Sequence, residues 1–211
     1  LKEFIKPKQL NQEKELNNKI NRLIKLINQS KRPIILAGNG IRLAKGINQL
    51  KELIKETRIP VLTTWRSLDI LPQDHDLYVG RPGSVGQRGA NFAQQNADLI
   101  ICIGTRLDVG QVAYNYGNFA RCAKKVIVDI DEHEINKIAT KIDIKFNVDA
   151  AKFLDALLAK VSHINLDTRV WLNRCQSWKK KYPVVLAEFS QEKKYVNTYV
   201  LVDRLSELLT K

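Results

Sequence analysis

Apolar positions along the chain follow two alternating rhythms. Leu16, Ile20, Leu23, Ile24 and Ile27 recur at spacings of three and four, which predicts an amphipathic helix from Asn11 to near Ser30 and Pro33. Residues 34–37, an unbroken apolar run between Pro33 and Gly38, predict a strand covered on both faces, because a half-exposed strand would alternate. Leu43, Ile47, Leu50 and Ile54 return to helical spacing until Thr57, Arg58 and Pro60 close the element, and PVLTT starts a second strand. The order then repeats. Residues 87–96 read as a helix packing through Ala90, Phe92 and Ala93, and residues 98–103 as a buried strand ending at Gly104. After an irregular tract over 105–119, residues 125–130 and 144–148 give two further strands. Asp131 and Glu134 form a D-x-x-E capping-box signature ahead of Ile135 and Ile138. Asp149 is expected to cap a helix with Phe153, Leu157 and Val161 in line and Leu154 and Leu158 beside them. Short apolar strands alternating with helices predict an α/β fold: a three-layer, Rossmann-like parallel sheet covered by helices on both faces.

The ends depart from this rhythm. Residues 1–10 read as an extended entry segment, so that 1–30 form an entry segment with its helix and 31–162 a central, nucleotide-binding-like α/β domain. Residues 163–195, with Trp171, Trp178, Tyr182 and Pro183, read as a linker containing a helix. Residues 196–211 begin a fresh helix whose Tyr199, Leu201, Val202, Leu205 and Leu209 are too apolar to sit free in water. The chain starts at leucine and contains no methionine, so a processed or excised piece of a longer protein is expected.

Composition narrows the class. The 211 residues, 44% apolar and 27% charged, suffice for one sizeable core with appendages. The apolar runs are too short to cross a bilayer, and no secretory signal is visible at the start. Three widely spaced cysteines, Cys102, Cys122 and Cys175, argue for a reducing, cytoplasmic compartment and against a disulfide scaffold or a zinc pair. Net charge is +13, concentrated at the periphery: residues 1–60 hold 14 Lys and Arg against 5 Asp and Glu. That stretch has Phe4 as its only aromatic, so a solvated lysine face is a better reading than a nucleic-acid groove.

Candidate chemistry collects where the strands end, the edge at which parallel sheets place ligands. Gly38-Asn39-Gly40 offers a close backbone approach for a phosphate, or only a tight turn; glycine is absent at position 43, so the G-x-G-x-x-G fingerprint fails. Residues 80–90, including Gly80, Arg81, Pro82 and Gly83, form a flexible, cationic, donor-rich loop ahead of a helix. Gly104, Thr105, Arg106, Leu107 and Asp108 end one strand, and Asp129, Ile130 and Asp131 another. There Arg106 could neutralise a diphosphate and an acidic residue accept ribose hydroxyls, or Arg106–Asp108 could be a structural pair and Asp131 a helix cap. His75, His133 and His163 read as surface histidines, and no nucleophile sits with a credible base. No catalytic residue or metal ligand is assigned.

Residues 32–137, through RPIILAGNG, PVLTTWRSLD, GRPG with GQRGANFA, GTRLD and VDIDE, resemble the central domain of acetolactate synthase-like, thiamine diphosphate-dependent enzymes. The ending resembles that family's linker and the first helix of its C-terminal, diphosphate-binding domain. The resemblance implies a parent that decarboxylates pyruvate or another 2-oxo acid and joins the product to an acceptor carbonyl. Thiamine diphosphate and Mg²⁺ would be held by missing N- and C-terminal domains of a homodimer or tetramer. By that reading this piece is inactive alone, a monomer or weak dimer, and has neither nucleic acid nor membrane as partner. In the flavin-dependent branch the central domain holds FAD along the strand ends. The matching positions are Gly38, Asn39, Gly40, Thr64, Trp65, Gly80, Arg81, Gly83, Gly104, Thr105, Arg106, Leu107, Asp108, Asp129, Ile130, Asp131, Asn147 and Val148. Other readings kept open are an NAD- or FAD-binding module of unrelated chemistry and a basic interaction module.

Overall fold

The computed structural model describes residues 9–209. The expected extended segment at 1–10 lies outside them up to residue 8, and α1 already runs Gln9–Gln29. β1 (Pro33–Ala37) is buried at all five positions, as its unbroken apolar run requires. The expected helix after it is broken in two, α2 (Gly40–Leu43) and α3 (Ile47–Thr57), with Lys45 at φ 60° and Gly46 between. The break turns Leu43 outward to 77% exposure, so it is not part of the core stripe that its spacing suggested. β2 (Val61–Thr63) follows, and then β3 (Tyr78–Gly80), a strand of three residues too short to register in the hydrophobic pattern.

The chain continues through α4 (Arg88–Asn96), β4 (Leu99–Ile103), the short α5 (Val109–Val112), β5 (Lys124–Asp129), α6 (Glu132–Asn136), β6 (Ile144–Asn147) and α7 (Ala150–Leu158). Asp149 caps α7 as expected, accepting from the N–H groups of Ala151 and Lys152, an arrangement worth about 1 kcal/mol. Val161 lies beyond that helix in a separate 3₁₀ turn. At α6 the reciprocal capping box is not formed: Asp131 accepts from the N–H of His133, while Glu134 turns away to bind cations.

All six strands are parallel, in the order β3-β2-β1-β4-β5-β6, so the sheet predicted from five strands has six. Side chains alternate across it. Ile35, Val61, Ile101, Val126 and Phe146 meet α1, α3 and α7 on one face. Ile34, Leu36, Leu62, Ile100 and Ile127 meet α4, α6 and α8 (Arg169–Lys181) on the other. Helix α8 docks closely because Gly89 of α4 has no side chain; a Cβ there would stand 2.9 Å from the Trp178 backbone. It also protects the open edge of the sheet, where Lys179 Nζ donates to the Tyr78 carbonyl at 2.8 Å. Burial lowers the pKa of that lysine below its usual range. Helix α9 (Thr198–Leu208) rests on a 3₁₀ turn through Phe189 and Tyr199, with Leu201, Val202 and Leu205 half exposed.

Candidate functional site

Strand order reverses between β1 and β4, the position at which an open parallel sheet offers a crevice at its carboxyl edge. Here the two loops touch backbone to backbone. A Cβ on Gly38 would stand 2.1 Å from the Gly104 carbonyl oxygen, and one on Gly40 would stand 2.7 Å from Gly104 Cα. Gly38 N–H donates to Ile103 and Gly40 N–H to Gly104, so these glycines spend their donors on the neighbouring loop. The tight-turn reading of Gly38-Asn39-Gly40 therefore describes their local role. Asn39 accepts from Arg42, which also grips the Arg66 carbonyl and Asp69.

Loop 80–87 is pinned rather than flexible. Gln87 Oε1 accepts from Arg81 N–H at 2.8 Å, and Asn91 brackets Gly83 with one hydrogen bond in each direction. Ser84 N–H donates to Gly110, tying the loop to α5. Most of its backbone donors are thus consumed, and the Arg81 side chain remains as the charged contribution of this loop to any anion. Gln87 and Asn91, which hold it, lie in a helical repeat that gives no sequence cue to this duty.

Unspent donors appear one loop further on. Among the described residues, the N–H groups of Thr105, Arg106 and Leu107 have no assigned hydrogen-bond acceptor, and the buried hydroxyl of Thr105 has no hydrogen-bond partner. Leu107 is buried with φ 46°, a left-handed backbone position of the kind that occurs in anion-binding turns of successive N–H groups. Asp108 caps α5 and does not pair with Arg106. Arg106 instead reaches Glu134 at 2.5 Å, a partner that sequence spacing could not identify.

Two carboxylates beside this turn behave oppositely. Arg106 first, then Lys137, holds Glu134 down to about 2. Burial raises the pKa of Asp129 above the usual carboxylate range, against the N–H of Asp131 that it accepts. Asn147 donates to the Asp129 and Ile130 carbonyls, while the Ile130 side chain is 73% exposed. On the far side of β1, Thr64 and Ser67 exchange hydrogen bonds, Ser67 anchors to Ala37, and Trp65 faces outward. The expected residues therefore share one edge of one sheet, and the loops after β1, β4, β5 and β6 are linked by direct contacts.

The depressed Glu134 pKa carries a sign. Its ion pairs stabilise the fold above the unfolded value of 4.5 and are lost as pH falls toward about 2. Thermal melts should therefore show Glu134→Gln slightly less stable than wild type near neutral pH, by less than about 1 kcal/mol, with the gap closing in acid. A gap that widens in acid would contradict the assignment.

His133 and His163 are exposed, and Cys102 is buried with its thiol pKa pushed far upward by burial. Cys175 is likewise buried and pushed up to about 12, so neither thiol is poised as a nucleophile. Among the described residues no group of three or more His, Cys, Asp and Glu could hold a metal ion, and no helix is long and apolar enough to cross a membrane.

Residues 20–157 match the family model described as thiamine pyrophosphate enzyme, central domain. A probable acetolactate synthase large subunit of Methanocaldococcus jannaschii is 36% identical over 165 residues, covering 76% of this chain and 27% of that protein. The acetolactate synthase large subunit of Corynebacterium glutamicum is 33% identical over 167 residues, covering 78% and 26%. The mitochondrial catalytic subunit from Saccharomyces cerevisiae is 31% identical over 199 residues, covering 90% and 28%. The chain thus spans between a quarter and a third of the length of these relatives.

Proposed function

The chain belongs to the thiamine pyrophosphate enzyme family through its central domain, and from that premise we propose that it is the cofactor-supporting body of an acetolactate synthase-like carboligase or decarboxylase. The parent reaction is removal of CO₂ from pyruvate or another 2-oxo acid and addition of the remaining fragment to a carbonyl acceptor. Bound thiamine diphosphate supplies the electron sink for that chemistry, and Mg²⁺ anchors its diphosphate. Both belong to domains flanking this one in a cytoplasmic homodimer or tetramer. Residues 163–195 are a linker with a helix, α8, that packs onto the sheet, and 196–211 begin the diphosphate-binding domain, a reading supported by the exposed apolar side chains of α9. No GDG metal motif occurs in the sequence. Alone, the chain is expected to form no acetolactate from pyruvate.

The residues at the carboxyl edge fit FAD. The observation that carries this is the turn at Thr105, Arg106 and Leu107, which combines unspent backbone donors, a buried hydroxyl without a partner and an exposed guanidinium. These groups would hold the diphosphate, with Arg106 exchanging Glu134 for the ligand. Asp129, Ile130 and Asn147 would border the adenosine end, and Gly38 to Gly40, Thr64, Trp65 and Gly80 to Gly83 the remainder of the groove. Their work is to bind, orient and shield; none transfers a proton.

FAD titrated into the chain should give a saturable change in flavin fluorescence, weakened about tenfold in Arg106→Glu by loss of a charge-assisted contact. Absence of any change at high micromolar FAD would remove the flavin from the proposal while leaving the scaffold role intact.

A further inference from the structure

The opposite, amino edge of the sheet carries an open cavity of about 630 Å³ between the α1–β1 connection, the end of α4, the segment before α8 and α8 itself. That volume lies in the range of small-molecule sites. Its walls are apolar on the α8 side, through Val170, Trp171 and Trp178, with Leu166 beside them. Trp171 is fixed by donation from Nε1 to the Pro33 carbonyl at 2.9 Å, and it meets Trp178 edge to face at 5.8 Å. The wall is therefore rigid before anything binds.

The remaining lining is polar, with Asn28, Ser30, Asn96, Asn165 and Asp167 beside three cationic side chains. Lys31, Arg32 and Arg174 line the cavity, and among the described residues none forms an ion pair with a carboxylate. Asp167, which lines the cavity, and Asp98 beside it are already committed. Asp98 accepts from the N–H groups of Lys31 and Arg32 at 2.9 Å each and from Ser30, and Asp167 forms a forked pair with Arg169. Arg174 lies over the Trp178 ring at 5.6 Å, which sets its guanidinium at the junction of the charged and apolar walls. Arg32 spends Nε on the Asn96 carbonyl, which fixes its position while its terminal nitrogens remain uncommitted.

We propose that this cavity is a binding site for a small amphiphilic anion, an organic carboxylate with a compact apolar body. The oxyanion would be held between Lys31 and Arg174, and the body would rest on Val170, Leu166 and Trp178, with the buried Trp171 behind them. The guanidinium fork suits a carboxylate, and the rigid aromatic wall supplies apolar contact at little entropic cost. The site lies across the sheet from the flavin groove, so it is independent of the flavin reading.

The test uses the full chain with Trp65→Phe, so that Trp171 and Trp178 report alone. 1-Naphthoate should quench their fluorescence saturably, with Kd in the range of about 0.1–1 mM expected for a small ligand. The neutral analogue 1-naphthalenemethanol should bind about tenfold more weakly, and acetate should give no quenching. Arg174→Gln combined with Lys31→Gln should weaken naphthoate by about tenfold and leave the neutral analogue unchanged. Val170 is 84% exposed, so Val170→Glu places a carboxylate at the mouth without disturbing the core and should likewise expel the anion. Equal affinity for the neutral analogue, indifference to Arg174→Gln and Val170→Glu, or no quenching by naphthoate at about 10 mM would each overturn the proposal.

Discussion

Gly38→Ala is expected to destabilise the domain by about 3 kcal/mol, at the upper end of the cost of overpacking a filled interior. The added methyl would lie 2.1 Å from the Gly104 carbonyl oxygen and 2.7 Å from Thr105 Cγ2, and the first of these is backbone that cannot swing aside. Gly104→Ala should cost a similar amount by a double mechanism, since its φ is +60° and its Cβ would meet Gly40 Cα at 2.7 Å. Gly110→Ala is the control: its Cβ would meet Asp108 Oδ1 at 3.3 Å, the end of a side chain, and its effect should be small. Urea unfolding followed by circular dichroism measures all three. A midpoint for Gly38→Ala within error of wild type would show that the loops after β1 and β4 do not meet as described.

The second large effect is expected at Trp171. It is 4% exposed, packs in the core between the sheet and α8, and donates its indole N–H to Pro33. Trp171→Ala should cost about 3–5 kcal/mol, a large part of the 5–15 kcal/mol by which a domain is typically stable. Trp171→Phe retains most of the packing and loses the hydrogen bond, so the smaller loss it produces, about 1 kcal/mol for the bond itself plus the missing ring volume, separates the two contributions. If both variants unfolded at the wild-type midpoint, α8 would not be an integral layer of the fold.

These two sites show how unevenly the sequence exposes its plan. RPIILAGNG announces a buried strand ending in a turn, because a fully covered parallel strand must be apolar at every position and its exit needs residues without side chains. The same letters do not reveal that Gly38 and Gly104 meet, nor that Gly38 and Gly40 spend their N–H groups on Ile103 and Gly104 while Gly104 spends its own on Val128 of β5. Likewise the D-x-x-E spacing marks the start of α6 correctly through Asp131, but Glu134 is drawn to Arg106 and Lys137, one of them 28 residues away. β3 escapes the pattern because three residues are too few to establish a period, and its place is fixed by pairing with β2 and by Lys179 arriving from α8.

The sequence by itself determined the fold class, the alternation of strands and helices, the family and the edge on which the candidate loops gather. All of these follow from local periodicity and from motifs contained within short stretches. Tertiary structure alone decided which backbone donors at that edge stay free, that loop 80–87 is pinned, and that a cationic, tryptophan-walled cavity opens on the opposite edge. Each of those depends on partners far apart in the chain, and hydrogen-bond satisfaction and close packing are properties of the assembled layers rather than of any single segment.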